Sequence, residues 1–286
     1  MSAPSVRRRR LGAELRRLRE GRGVKGVDAA RHIGEGWDGP RVSRLEGGKL
    51  GIKPAELVSL LDFYEVTDAA RRDILLALAR DGARRGWWQT YREVISPAYA
   101  ELIALEADAS SLRSYQTLLV PGLLQTAAYA RASIAAINMN STAEAVNALV
   151  EVRMARQSVL ARPNPLEVWA IIHEAALRPT FASPQIMNDQ LQRLLDLVEL
   201  PHVSIQIIPL DAPPHPGMAG PYTVLGMPES ADLDVVLVEH VASALYVEDP
   251  VDVAVYNAVF GHLRAHALPL ATSADLIARM KKEHRP

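Results

Sequence analysis

Apolar residues recur at helical spacing through the first part of the chain and give way to short alternating runs further on. Leu11, Leu15 and Leu18 stand at i, i+4 and i+7 in residues 7–20, whose other positions are mostly Arg. That pattern predicts a helix with one buried stripe, ended by Gly21 and Gly23. Val27, Ala30 and Ile33 predict a second, short helix over 27–33, with these three inward and Gly34 as its stop. Asp38 is a good N-cap, Pro40 fits the first turn that follows, and Gly47-Gly48 supply a C-terminal stop. Between them Val42 and Leu45 point inward, while Arg41, Ser43 and Arg44 point out. Pro54 opens a helix with Leu57, Leu60, Leu61 and Tyr64 inward, and residues 68–85 form another carrying Ile74, Leu75 and Leu78. Five helices in roughly eighty residues make a compact all-α domain.

From residue 86 the periodicities mix. Ser96-Pro97 opens a helix, residues 125–137 and 143–160 are helical, and Arg162-Pro163-Asn164-Pro165 breaks the latter. Residues 166–173 and 203–209 alternate with branched and aromatic side chains and predict strands on either side of a helix begun at Ser183-Pro184. After a Pro/Gly loop at 211–221, residues 222–227, 235–239 and 244–247 predict a three-stranded meander. Asp249-Pro250 starts a helix to His266, and a last helix spans 273–283. The expected organisation is therefore multidomain, with an all-α domain at 1–85 and an α/β, mixed-sheet domain at 86–286.

Charge separates the same two parts. The formal net charge is −1, yet residues 1–90 carry 19 Lys/Arg against 12 Asp/Glu, and residues 91–286 carry 13 against 21. A basic head on an acidic body implies that the head alone meets a polyanion. There is no Cys, which removes disulfides, thiol catalysis and thiolate metal sites. The basic N-terminus lacks the apolar stretch of a secretory signal, and no run of 18 apolar residues is present to span a membrane. A cytoplasmic protein is expected.

The stretch 24–48, VKGVDAARHIGEGWDGPRVSRLEGG, is a short helix, a turn and a capped basic helix. This is the helix-turn-helix pattern, which lays its second helix in the DNA major groove. Around it, RRRRLGAELRRLRE, PAELVSLLDFYEVTDAARRDILLALARDGARRGWW and ALEADASSLRSYQTLLVPGLLQTAAYARA carry a resemblance that extends through VEVRMARQSVLARPNPLEVWAIIHEAALRP, LPHVSIQIIPL and DVVLVEHVASALYVEDP. Over nearly its whole length the chain resembles actinobacterial Xre-type (Cro/cI-like) regulators of the WhiJ-like kind, whose C-terminal domain has no assigned function. The resemblance implies a homodimeric DNA-binding transcriptional regulator with an antitoxin-like or developmental role. It also implies a small partner protein or peptide for the C-terminal domain.

The chain departs from that pattern at the reading head. Such regulators open the first helix of the pair with Thr-Gln; here the residues are Lys25-Gly26. Seven residues, Glu35 to Arg41, separate Gly34 from Val42 where about five are usual in the family, and Gly39 and Pro40 fall where base-contacting side chains are placed. The DNA-contact set is then Arg7, Arg8, Arg9, Arg10, Lys25, Arg41, Ser43, Arg44 and Lys49, with Arg44 the best base reader because Arg pairs bidentately with guanine. The other reading keeps the fold but loses sequence readout, leaving a module that binds a protein or peptide.

In the body, Trp87, Trp88 and Tyr91 cluster where the two domains meet. Stacking on bases is one use for them and anchoring the first domain to the second the commoner one. His173-Glu174 at a strand end and His215 in HPGMAGP are candidates, with Trp87 and Trp88, for a ligand or partner pocket. His262 and His266 have a zinc-compatible spacing, but the segment HLRAH lacks the metalloprotease Glu and a third ligand. No nucleophile elbow, Walker loop or dinucleotide fingerprint is present. Neither an enzyme nor a bound cofactor is expected.

Overall fold

In the computed structural model the described residues are 5–80, 87–138, 141–178, 183–228, 233–240 and 243–283. The chain divides into two compact units, Met1–Gly86 and Trp87–Pro286. The last residues of the helix expected over 68–85 lie outside the described residues.

The first unit is built from α1 (Val6–Gly21), α2 (Gly26–Ile33), α3 (Gly39–Glu46), α4 (Pro54–Phe63) and α5 (Ala69–Arg80). Its core joins Leu11 and Leu15 to Val42, Leu45, Leu57, Leu60, Leu61, Tyr64 and Leu75, much as the spacing predicts. Of the expected inward face of α2, Ala30 is buried and Ile33 packs on the core, while Val27 is corrected. Ala29 and Ala30 are buried, whereas Val27 is 53% exposed. Two small residues let α2 lie close to its neighbours, and in a helix of eight residues that choice rotates Val27 outward.

Gly12 sets a second close approach. A Cβ there would lie 2.4 Å from the carbonyl oxygen of Glu46 and 2.5 Å from that of Leu45, so α1 and the end of α3 are in backbone contact. Gly12→Ala is expected to cost about 1–3 kcal/mol by overpacking. A fall in the urea midpoint of the first unit checks it, and an unchanged midpoint would show that the helices part freely.

The second unit carries one six-stranded mixed sheet in the order β3-β2-β1-β4-β5-β6, the strands being β1 (Ser111–Gln116), β2 (Glu167–His173), β3 (Val203–Ile208), β4 (Tyr222–Gly226), β5 (Val235–Glu239) and β6 (Ala244–Val247). The pairs β1–β2 and β2–β3 are parallel, and the remainder are antiparallel. Helical crossovers connect the parallel strands: α7 (Ala127–Ile137) and α8 (Ala143–Arg156) lead to β2, and α9 (Pro184–Leu197) leads to β3. α6 (Pro97–Asp108) precedes the sheet, and α10 (Pro250–His266) and α11 (Leu270–Glu283) follow it. α10 covers one face through Val253, Phe260 and Leu263, packed on Tyr115, Ile171, Tyr222, Val224 and Val236. At the β3 edge the amide of Ile207 donates to Ser273 Oγ (3.0 Å) and its carbonyl accepts from Leu268 N (2.9 Å), so that edge is blocked.

An all-α head followed by a mixed α/β domain is therefore what the chain forms. The sheet's central strand β1 has no counterpart among the strands expected from sequence. Arg156 of α8 is buried against Glu106 of α6.

Candidate nucleic-acid interface

Local chemistry explains why α3 forms and where it stops. Asp38 Oδ1 accepts from the amide of Arg41 (2.7 Å), Pro40 occupies the first turn, and Val42 and Leu45 are 1% and 2% exposed. The connection from α2 uses Gly34 (φ 108°) and Gly36 (φ 82°), backbone conformations that L side chains rarely adopt. At the other end of α3, Arg19 donates to both carboxylate oxygens of Glu46 (2.6 and 3.0 Å) and to the carbonyl of Val24 (2.8 Å). The Glu46 hydrogen bond raises Arg19 above the ordinary guanidinium value. This clamp joins α1, the start of α2 and the end of α3.

The residues of the turn between α2 and α3 are bolted in place. Trp37 Nε1 donates to Glu56 Oε1 (3.1 Å), whose other oxygen accepts from the amide of Lys53 (2.9 Å). Arg41 lies 4.5 Å above the Trp37 ring and donates to the carbonyl of Gly36 (2.6 Å). Arg41 thus helps hold the turn.

Ser43, Arg44, Lys25 and Lys49 are exposed. A concavity of about 440 Å³ is lined by Arg16, Arg44, Ser43, Lys49, Gly26 and Gly39, among others. It brings the beginnings of α2 and α3 together with four basic side chains, Arg19 among them, and with Glu46. The Arg run at the head of α1 is divided. Arg8 is exposed and Arg9 half-buried, but Arg7 and Arg10 are 9% and 5% exposed. The last two are packed within the protein.

The candidate pocket residues of the body are each held by contacts of their own. Trp87 is 40% exposed and borders a cavity of about 270 Å³ with Ile103, Glu106, Arg156 and Arg162, while Trp88 and Tyr91 pack on Ile95, Ile103 and Val152. His173 Nδ1 accepts from the amide of Ala175 (3.2 Å), and Glu174 is buried, pairing with Arg178 and accepting from Leu210 N (3.0 Å). His215 is buried with its ring edge-on to Tyr115 at 6.2 Å, not displayed in a loose loop. It lies 6.0 Å from His266, whose Nδ1 donates to the carbonyl of His262 (2.8 Å). No group of three metal-ligating side chains with ligand geometry occurs among the described residues.

Burial, then the neighbouring His266 and His173, hold His215 below the usual imidazole value. Its folded form therefore prefers the neutral ring, and the unfolded chain takes up the proton first as pH falls. The stability His215 contributes is complete above about pH 6.5 and is lost below it. The second unit should weaken between about pH 7 and pH 5, and His215→Gln should make that loss smaller. Thermal melts across that range check it; identical pH profiles would assign the loss to other groups.

Two families match the chain. A helix-turn-helix domain matches residues 10–74, and a Domain of unknown function (DUF5753) matches residues 99–279, more than half of the sequence. No curated protein and no solved structure matches it. The helix-turn-helix match supports a DNA-binding regulator in general. No helix among the described residues is long and apolar enough to cross a membrane.

Proposed function

From a chain that belongs to the DUF5753 family and carries a helix-turn-helix domain ahead of it, we infer a cytoplasmic, non-enzymatic transcriptional regulator that binds operator DNA as a homodimer. The observation that carries this reading is the capped, exposed basic helix α3 facing a concavity lined by Arg16, Arg44 and Lys49. Arg44 and Ser43 read base edges. Lys25, Lys49, Arg8 and Arg9 contact phosphates, whose neutralisation supplies most of the affinity. Two copies engage half-sites about one helical turn apart. The DUF5753 domain supplies the dimer contact and receives a signal, in an antitoxin-like arrangement where a small protein or peptide is that signal.

A second reading rests on one observation. The first turn of α3, Gly39-Pro40, has no side-chain donor, and Arg41 is spent on the turn. A head of this kind suits a partner-binding module that keeps the fold without reading sequence. Selection of random-sequence duplexes by the full chain separates the two. The regulator enriches a motif with paired half-sites, whereas the partner module enriches none.

A further inference from the structure

Among its described residues the first unit leaves one large apolar side chain in solvent. Val27, in the first turn of α2, is 53% exposed, and no other large hydrophobic residue of that unit is exposed among the described residues. Its position is specific. A Cβ on Gly39 would lie 3.1 Å from Val27 Cγ1, so the isopropyl group abuts the backbone where α3 begins. Gly26 and Gly39, one beside Val27 in sequence and the other in space, both line the basic concavity that holds Arg44 and Lys49. An aliphatic group therefore stands beside a concavity lined by Arg16, Arg19, Arg44 and Lys49, with Glu46 paired to Arg19.

A DNA major groove presents one apolar group among its donors and acceptors, the C5-methyl of thymine. Gly39 and Pro40, which open α3, offer no side-chain hydrogen bond to a base and no long side chain to hold one away from Val27. Resting on the DNA-binding reading above, we propose that Val27 is a specificity-determining residue that contacts a thymine methyl, adding an apolar requirement beside the base pair read by Arg44. The contact is worth about one buried methylene, or about fourfold in affinity per half-site.

The experiment uses the full chain and a duplex selected from random sequence. Each thymine is replaced in turn by deoxyuridine, which removes the methyl alone, and binding is followed by fluorescence anisotropy at fixed salt. For the wild type, one thymine per half-site should weaken binding about fourfold when replaced. Val27→Ser, folded by circular dichroism, should bind the thymine duplex as weakly as the wild type binds the uracil duplex, and should weaken no further on replacement. Insensitivity of the wild type at every thymine overturns the proposal. So does equal sensitivity in Val27→Ser, which leaves Val27 to a protein contact. A selection that enriches no motif overturns it too, but by removing the DNA reading itself, an outcome visible before any thymine is replaced.

Discussion

Arg44→Ala is expected to erase the full chain's preference for its selected site over scrambled DNA while leaving weak binding to both. Arg44 is exposed on α3, next to the exposed Ser43, and Arg41 is unavailable because it holds Gly36 and Trp37. Gly39 and Pro40 contribute no donors. Readout by hydrogen bonds thus falls on a short list, with one guanidinium as its strongest member. Removing a bidentate Arg–guanine pair costs about 1–3 kcal/mol, on the order of tenfold to a hundredfold in discrimination per half-site. Competition titration of site against scrambled duplex measures it, with circular dichroism as the folding control. An equal, undiminished preference in Arg44→Ala would move recognition to another residue. The phosphate-contacting cations are not in the same position. Arg8→Ala or Lys49→Ala should lower affinity for all sequences alike and make the salt dependence shallower by about 0.9 for each phosphate left without its cation.

The second large effect is expected in the body. Arg156 donates to both oxygens of Glu106 (2.8 and 2.5 Å), and the side chains are 7% and 2% exposed. Removing one partner strands the other charge away from water, so Arg156→Ala should destabilise the second unit by about 3–5 kcal/mol. Burial pushes the Glu106 carboxyl up even with Arg156 beside it. Without Arg156 that carboxyl escapes the penalty by taking a proton. Folded Glu106 then holds its proton at a higher pH than the unfolded chain does, so part of the stability should return as pH falls toward 5. Glu106→Gln leaves a buried guanidinium and should show no such recovery. Urea unfolding followed by far-ultraviolet circular dichroism at two pH values separates these outcomes. A cost under about 1 kcal/mol for Arg156→Ala would mean that water reaches the pair.

The reading head is legible in sequence wherever its determinants are local. Asp38, Pro40, Val42, Leu45 and Gly47 each act within one or two turns, and all five take their expected places. Val27 is not, because an eight-residue helix presents too few apolar positions to fix its rotation, and the deciding side chains are two alanines. A run of four arginines gives no sign that its first and last are packed inside while Arg8 faces water. Strand β1 is hidden in the sequence because Ser, Arg and Gln share its alternation. Polar partners lie far away in sequence: Arg113 pairs with Asp234 and Ser114 with Thr223. Glu106 and Arg156 are fifty positions apart, and nothing in either helix alone announces the pair. Only residue types that suggest binding join Trp87 and Trp88 to His173, Glu174 and His215 as one expected pocket. A local turn gives His173 a backbone partner, while tertiary structure gives one to Glu174 and buries His215.

The central claim is that this head reads DNA sequence. Its most direct measurement is the affinity of the full chain for a selected duplex and a scrambled one, each titrated over a range of salt. Counterion release should give both duplexes steep, similar slopes, because the same Lys and Arg side chains meet the phosphates. The selected duplex should stay tighter by about tenfold or more at every salt concentration, as base contacts are indifferent to counterions. Two superimposed lines that vanish together at moderate salt would contradict the claim.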